Sequence, residues 1–190
     1  MTGAVEPCYV IGGGPSLVGF DFDHLPSGFR IGANKSAWLA NCDAFITVDK
    51  NFHKNFRKEI EAFDGLKFAS RNADAPIDGV TYLQHERSDG FSTDPTKITG
   101  SNSGYAALNL AYQLGYTEIA LLGFDFMWID GKSHFHNGYA GQNRQTNRYL
   151  GNWAKTFSTI PMDGLRITNF VGPRGSGITA FPTRPLEDLI

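Results

Sequence analysis

The chain has 190 residues, 41% hydrophobic and 13% aromatic, which suits one domain burying roughly 70% of its unfolded surface. Lys and Arg number 17 against 19 Asp and Glu, a formal net charge of -2. That balance gives no electrostatic footprint for non-specific nucleic-acid binding, which needs a strongly basic face, and leaves room only for a local basic patch. No run approaches the roughly 18 consecutive apolar residues of a membrane span, and the opening "MTGAVEP" lacks the basic start and apolar core of a secretion signal. Two cysteines, Cys8 and Cys42, are too few for a disulfide framework and read as buried core thiols. A cytoplasmic, reducing setting without membrane attachment is the expectation.

Short apolar runs that scarcely alternate are the pattern of strands buried on both faces of a parallel sheet. In chain order they are "CYVIG" (8–12), "FRIGA" (29–33), "AFITV" (44–48), "LKFAS" (66–70), "TYLQ" (81–84), "EIALLG" (118–123) and "LRITNF" (165–170). Helical spacing fills three of the gaps, at 51–63, 103–115 and 143–157, the second ending at Gly115 as a natural stop. Strand followed by helix, repeated, predicts an α/β fold: a single-domain, Rossmann-like, doubly wound and mostly parallel sheet over 1–190. The polar, glycine-rich stretches 86–102 and 129–143 read as long active-site loops.

The first strand runs into Gly12-Gly13-Gly14-Pro15-Ser16. In an open parallel sheet ligands bind beyond the carboxyl ends of the strands, and glycines there let backbone approach a ligand and present N–H groups to an anion. A tight turn with nothing bound is the alternative. The run is neither a P-loop nor GxGxxG, since Leu17 stands where the last glycine belongs, and the second strand ends at Asn34 rather than an acidic residue. An NAD site is thereby disfavoured. Other strand ends are polar too: Asn34, Asp49 and Asp125. One of Ser101, Asn102 and Ser103 should cap the helix that follows; that cap is one reading, and a second anion-facing helix start with Ser103 and Gly104 at the ligand is the other.

The stretch 124–149 gathers Asp125, Asp130, His134, His136, Tyr139, Arg144 and Arg148. His134 and His136 would share a side if extended, as a metal pair does, but no cysteine or third histidine lies nearby. A general base or a phosphate contact is the reading taken for one of them, with a solvated loop histidine as the alternative.

Taken in order and spacing, "VIGGGPSL", "GANKSAW", "FITVDKNF", "ITGSNSGYAALNLAYQLGYTEIALLGFDF" and "ITNFVGPRGSGITAFP" resemble the sialyltransferase-like nucleotide-binding fold. That fold takes in bacterial CMP-sialic acid sialyltransferases and the 6-hydroxymethylpterin diphosphokinase (MptE-like) proteins. The resemblance implies a nucleotide across the strand ends, near Gly12, Gly13, Gly14 and Ser16, with Asn34 at base or ribose and Ser103 and Gly104 at ribose or phosphate. It departs from the sialyltransferases at Gly13 and Asp49, where they carry Asn, and at Met127 and Ser133, where they carry phosphate-binding tyrosines. A carboxylate at Asp49 suits a magnesium-bound nucleoside triphosphate instead.

Three functions follow. A glycosyltransferase-like enzyme would use a nucleotide-activated sugar and a small-molecule or glycan acceptor, with His134 or His136 as base and Arg144 or Arg148 on the leaving phosphate. A pyrophosphokinase would hold ATP and Mg²⁺ on Asp49 and Asp125. A non-catalytic protein would bind or sequester a nucleotide. The aromatic content serves the core or the interface of a homo-oligomer.

Overall fold

The computed structural model describes residues 6–71, 75–136 and 145–190. Among them nine strands form one sheet in the order β6-β5-β4-β3-β2-β1-β7-β8-β9, every neighbouring pair parallel. The strands are β1 (Cys8–Ile11), β2 (Phe29–Ala33), β3 (Ala44–Thr47), β4 (Leu66–Ser70), β5 (Val80–Glu86), β6 (Lys97–Thr99), β7 (Glu118–Leu122), β8 (Arg166–Val171) and β9 (Thr183–Pro185). The helices are α1 (Ser36–Leu39), α2 (Lys50–Asn55), α3 (Arg57–Ala62), α4 (Ser103–Gln113) and α5 (Gln145–Thr156). The Rossmann-like α/β expectation holds, and the sheet is parallel throughout rather than mostly so.

Burial explains the order. All four residues of β1 are buried, as are all four of β3, so these strands need cover on both faces. One face carries an aromatic group of Trp38, Phe45, Phe52, Phe56 and Phe63; the other carries Tyr105, Phe124, Phe126, Phe157 and Phe181. Most of the described aromatic side chains therefore serve the core. Cys8 and Cys42 are buried as expected; burial pushes the Cys8 thiol up to about 12 and the Cys42 thiol up as well, so neither is a nucleophile near neutral pH.

From β1 the chain winds outward through β2 to β6. The α4 connection then returns it to the centre, and β7 to β9 continue on the other side. Connections leave β1 and β7 in opposite directions, which makes their shared carboxyl end the switch point where such sheets bind ligands. Asn102 starts α4 by accepting the Tyr105 N–H at 3.0 Å on its side chain. Small residues Ala106, Ala107 and Ala111 let α4 lie close on β1, β2 and β3.

Two expected elements differ. The helix read over 51–63 breaks at Phe56, whose backbone leaves helical geometry while its ring stacks on Phe52 at 4.5 Å and packs near Trp38. Ring packing overrides helix propensity there. The loop read over 86–102 contains β6, and β5 runs on to Glu86. Three residues of strand carry too little periodicity to stand out. What holds β6 is Asn109, fully buried on α4, whose Oδ1 accepts the Thr99 N–H (3.0 Å) and hydroxyl (2.9 Å) while its Nδ2 donates to Ser92 O (3.0 Å).

Replacing Asn109 by Leu strands the Thr99 N–H in the interior. The expected loss is about 2–4 kcal/mol, a fall in Tm of roughly 5–15 °C for a chain of this size, read by circular dichroism. A wild-type Tm would show that this network does not secure the β6 edge.

Candidate functional site

The glycines after β1 owe their identity to the chain beside them. Gly12 donates its N–H to Leu122 O and Gly14 donates its N–H to Gly123 O, each at 2.8 Å, so the β1–β7 pairing continues past the strand ends. A Cβ on Gly12 would lie 2.7 Å from the Gly123 carbonyl oxygen, and one on Gly14 would lie 2.6 Å from that same oxygen and overlap the Asp125 carboxylate. A Cβ on Gly13 would meet the His134 ring at 2.7 Å. Backbone thus holds Gly12 and Gly14 to glycine, whereas a side chain at Gly13 would have to displace the His134 ring. Ser36 on α1 adds a buried bond from its hydroxyl to Gly12 O (2.7 Å).

Asp125 stands at the centre of this packing, 1% exposed. Its Oδ2 accepts the Ser16 N–H at 2.7 Å, while Oδ1 has no hydrogen-bond partner among the described residues. Burial pushes its carboxyl above the ordinary range; the Ser16 amide and hydroxyl pull the other way with less effect. The loop after β8 braces it from behind, with the Gly177 N–H donating to Asp125 O (2.7 Å) and the Ser176 hydroxyl to Phe124 O (2.6 Å).

Segment 133–136 crosses over the glycines. Phe135 donates its N–H to Gly13 O at 2.9 Å and its ring packs near Phe22. His134 lies on Gly13 with Nδ1 paired to the Ser133 hydroxyl at 3.0 Å, and the His136 ring sits 5.4 Å away, centroid to centroid. Gly12, Gly13, Gly14, Ser16, Asp125, His134 and His136 are therefore one constellation.

The remaining expected residues line the same edge toward β3. Asn34, in the left-handed region at φ 58°, turns the chain after β2 and carries a buried side-chain oxygen with no hydrogen-bond partner among the described residues. The Ser103 hydroxyl accepts the Val48 N–H at 3.2 Å, and a Cβ on Gly104 would lie 3.1 Å from the capping oxygen of Asn102. Asn102 thus caps α4, and Ser103 ties the start of that helix to the end of β3. Asp49 is exposed and caps α2 through Oδ1, which accepts the N–H groups of Asn51 (2.8 Å) and Phe52 (3.1 Å). Arg144 and Tyr139 lie outside the described residues.

Magnesium shared by Asp49 and Asp125 does not fit this arrangement. Their strands are three positions apart in the sheet, roughly 14 Å at the usual strand spacing, whereas ligands hold Mg²⁺ at about 2 Å. Among the described residues no three of His, Cys, Asp and Glu gather as a metal set, and none of the helices is long and apolar enough to cross a membrane.

Sequence reasoning passed over Ser36, Ser176 and Arg174. The last two lie in "GPRGSG", a second glycine-proline loop just past a strand, which is the same signal that marked the first.

The class that this fold defines is the Rossmann-like α/β architecture found among glycosyltransferases. The MAf glycosyltransferase of Magnetospirillum magneticum AMB-1 superposes on 96% of this chain with a TM-score of 0.56 at 16% identity, and this chain spans 34% of that longer protein. The sialyltransferase CstII of Campylobacter jejuni, solved with a substrate analogue, CMP-3FNeuAc, superposes on 95% of this chain and 86% of its own at a TM-score of 0.48, also at 16% identity. No protein-family model and no curated protein matches the chain.

Two substitutions probe the constellation. Gly14→Ala forces a methyl into the Asp125 carboxylate and the Gly123 carbonyl, and a stability loss of about 1–3 kcal/mol is expected from the denaturant midpoint. An unchanged midpoint would mean that the two loops are not in contact. Asp125→Asn keeps an oxygen for the Ser16 N–H and removes a buried ionisable group. With a raised folded pKa, the folded chain holds a proton that the unfolded chain releases, so wild-type stability falls as pH rises above about 4. The Asn variant should melt higher than wild type at neutral pH, with the gap closing toward pH of about 4. Parallel melting profiles across that range would contradict it.

Proposed function

We propose that the chain is a nucleotide-binding transferase of the glycosyltransferase type, using a nucleotide-activated sugar without a metal bridge between Asp49 and Asp125. The observation that carries the reading is the meeting of the glycine loop, buried Asp125 and His134 at the switch point, in a fold shared with a glycosyltransferase. The nucleotide would lie along the strand ends from Asn34 and Ser103 to Gly12–Ser16. The acceptor hydroxyl oxygen attacks the anomeric carbon, the bond from that carbon to the phosphate oxygen breaks, and the nucleotide leaves with the bonding pair. His134 takes the acceptor's proton, its ring oriented by the Ser133 hydroxyl. Arg144 or Arg148 would offset the charge of the departing phosphate. The acceptor would be a small molecule or a glycan, and residues 1–190 would act as one nucleotide-binding domain.

Calorimetry with CMP, CDP, UDP, ATP and GTP, with and without Mg²⁺, tests the binding. A cytidine or uridine nucleotide should bind without metal. His134→Ala should keep that affinity within a few-fold while lowering transfer by roughly 10²–10⁴. Binding of ATP or GTP only with Mg²⁺ would replace this reading with pyrophosphoryl transfer. Silence across the panel would remove the nucleotide site altogether.

A further inference from the structure

We propose that a cavity beyond the ends of β1, β7 and β8 is a subsite for a neutral pyranose ring, with Arg174 and Asp130 sharing its hydroxyls. The space measures about 250 Å³ and is lined by Pro15, Ser16, Ile129, Asp130, Pro173 and Arg174, with Gly172 at its floor. It falls below the roughly 300–1,000 Å³ of pockets that take drug-sized ligands, which suits one sugar ring rather than a whole nucleotide.

The lining chooses among ligand classes. Arg174 and Asp130 face each other at 3.6 Å, so the formal charges of the wall cancel. A phosphate or carboxylate entering here meets the Asp130 carboxylate, and an ammonium meets the guanidinium. Among the described residues no aromatic side chain lines the space, so they offer a nucleobase nothing to stack on. What remains is a fork of N–H donors beside a pair of acceptor oxygens, and apolar walls from Ile129 and two prolines. Vicinal ring hydroxyls, each donor and acceptor at once, match the polar groups, and ring C–H groups match the walls.

The walls are built rather than incidental. Asp130 and Gly131 form a two-residue turn, both at positive φ, closed by reciprocal bonds between Ile129 and Lys132 at 2.9 Å. That turn carries Asp130 to the rim. Gly175 donates its N–H to Gly172 O at 2.9 Å, closing the turn that presents Arg174. Ser16 is held from behind by Asp125, and a Cβ on Gly172 would already touch Ser16 at 3.1 Å, so the two loops meet at the floor. The ion pair itself is 71% and 81% exposed, weak enough for hydroxyls to intercalate.

The proposal deepens the glycosyl-transfer reading, and rests on it only for whether the ring belongs to donor or acceptor. Saturation-transfer NMR with the methyl pyranosides of glucose, galactose and mannose tests it on the whole chain, alone and saturated with the nucleotide that calorimetry selects. At least one pyranoside should receive saturation. Arg174→Ala, and Asp130→Gly, which keeps the turn because glycine accepts positive φ, should each weaken it roughly tenfold or more at unchanged Tm and nucleotide affinity. Displacement by a nucleotide-sugar but not by the free nucleotide identifies the donor's ring; binding alongside the nucleotide-sugar identifies the acceptor's. No transfer to any pyranoside overturns the proposal, as does transfer that both variants retain, or a loss of nucleotide affinity in Arg174→Ala, which would mark an anion site. Pyranoside binding dependent on Arg174 in a chain that binds no nucleotide would leave the subsite standing and remove the nucleotide reading alone.

Discussion

The contact on which this structure turns is the one between the backbones leaving β1 and β7. Two amide hydrogens, from Gly12 and Gly14, reach carbonyls of the neighbouring strand end, and a third, from Ser16, reaches the Asp125 carboxyl. Those three bonds need the two chains closer than any side chain allows, so the glycines, the positive φ of Gly123 and the burial of Asp125 are consequences of one requirement. Everything proposed about the site inherits its geometry from there. His134 can lie over the loop because Gly13 has no side chain, and Ser16 can face the neighbouring cavity because Asp125 holds its amide.

Much of the fold was legible in the sequence, because buried parallel strands write short, mostly apolar runs that scarcely alternate, and the strands at 8–11, 29–33, 44–47, 66–70 and 118–122 do so. What stayed hidden was set by contacts distant in the chain. Phe56 breaks a helix that local spacing favours, because Trp38 and Phe52 compete for its ring. β6 exists because Asn109, on the following helix, satisfies its backbone. Neither partner can be assigned from spacing.

The site shows the same division. Polar residues at strand ends were legible as a group, since topology alone puts them on one edge. Their individual roles were not. The glycine run reads as a ligand cradle, and spacing does not show that the Gly123 carbonyl and the His134 ring also occupy the spaces where methyls would be. Asp49 reads as a metal carboxylate, and spacing does not show that one of its oxygens also caps α2. Arg174 carries no local signal beyond its glycine-proline setting, and its interest comes from Asp130, brought across from a different loop.

The order of the strands also has a kinetic side. β1 is made before the other eight described strands and sits near the middle of the sheet, with Cys8 paired to Ile119 on one side. The bond from Ser16 to Asp125 spans 109 residues. On a ribosome, a chain grown only as far as α4 has an N-terminal half that can pair β1 through β6 yet leaves one edge of β1 bare. A long return before a central pairing is formed is the topology that folds slowly and lets nascent edges meet other chains. The switch point is consequently a late product of the folding route, made when β7 pairs with β1, and a molecule bound there would report that this central pairing has formed.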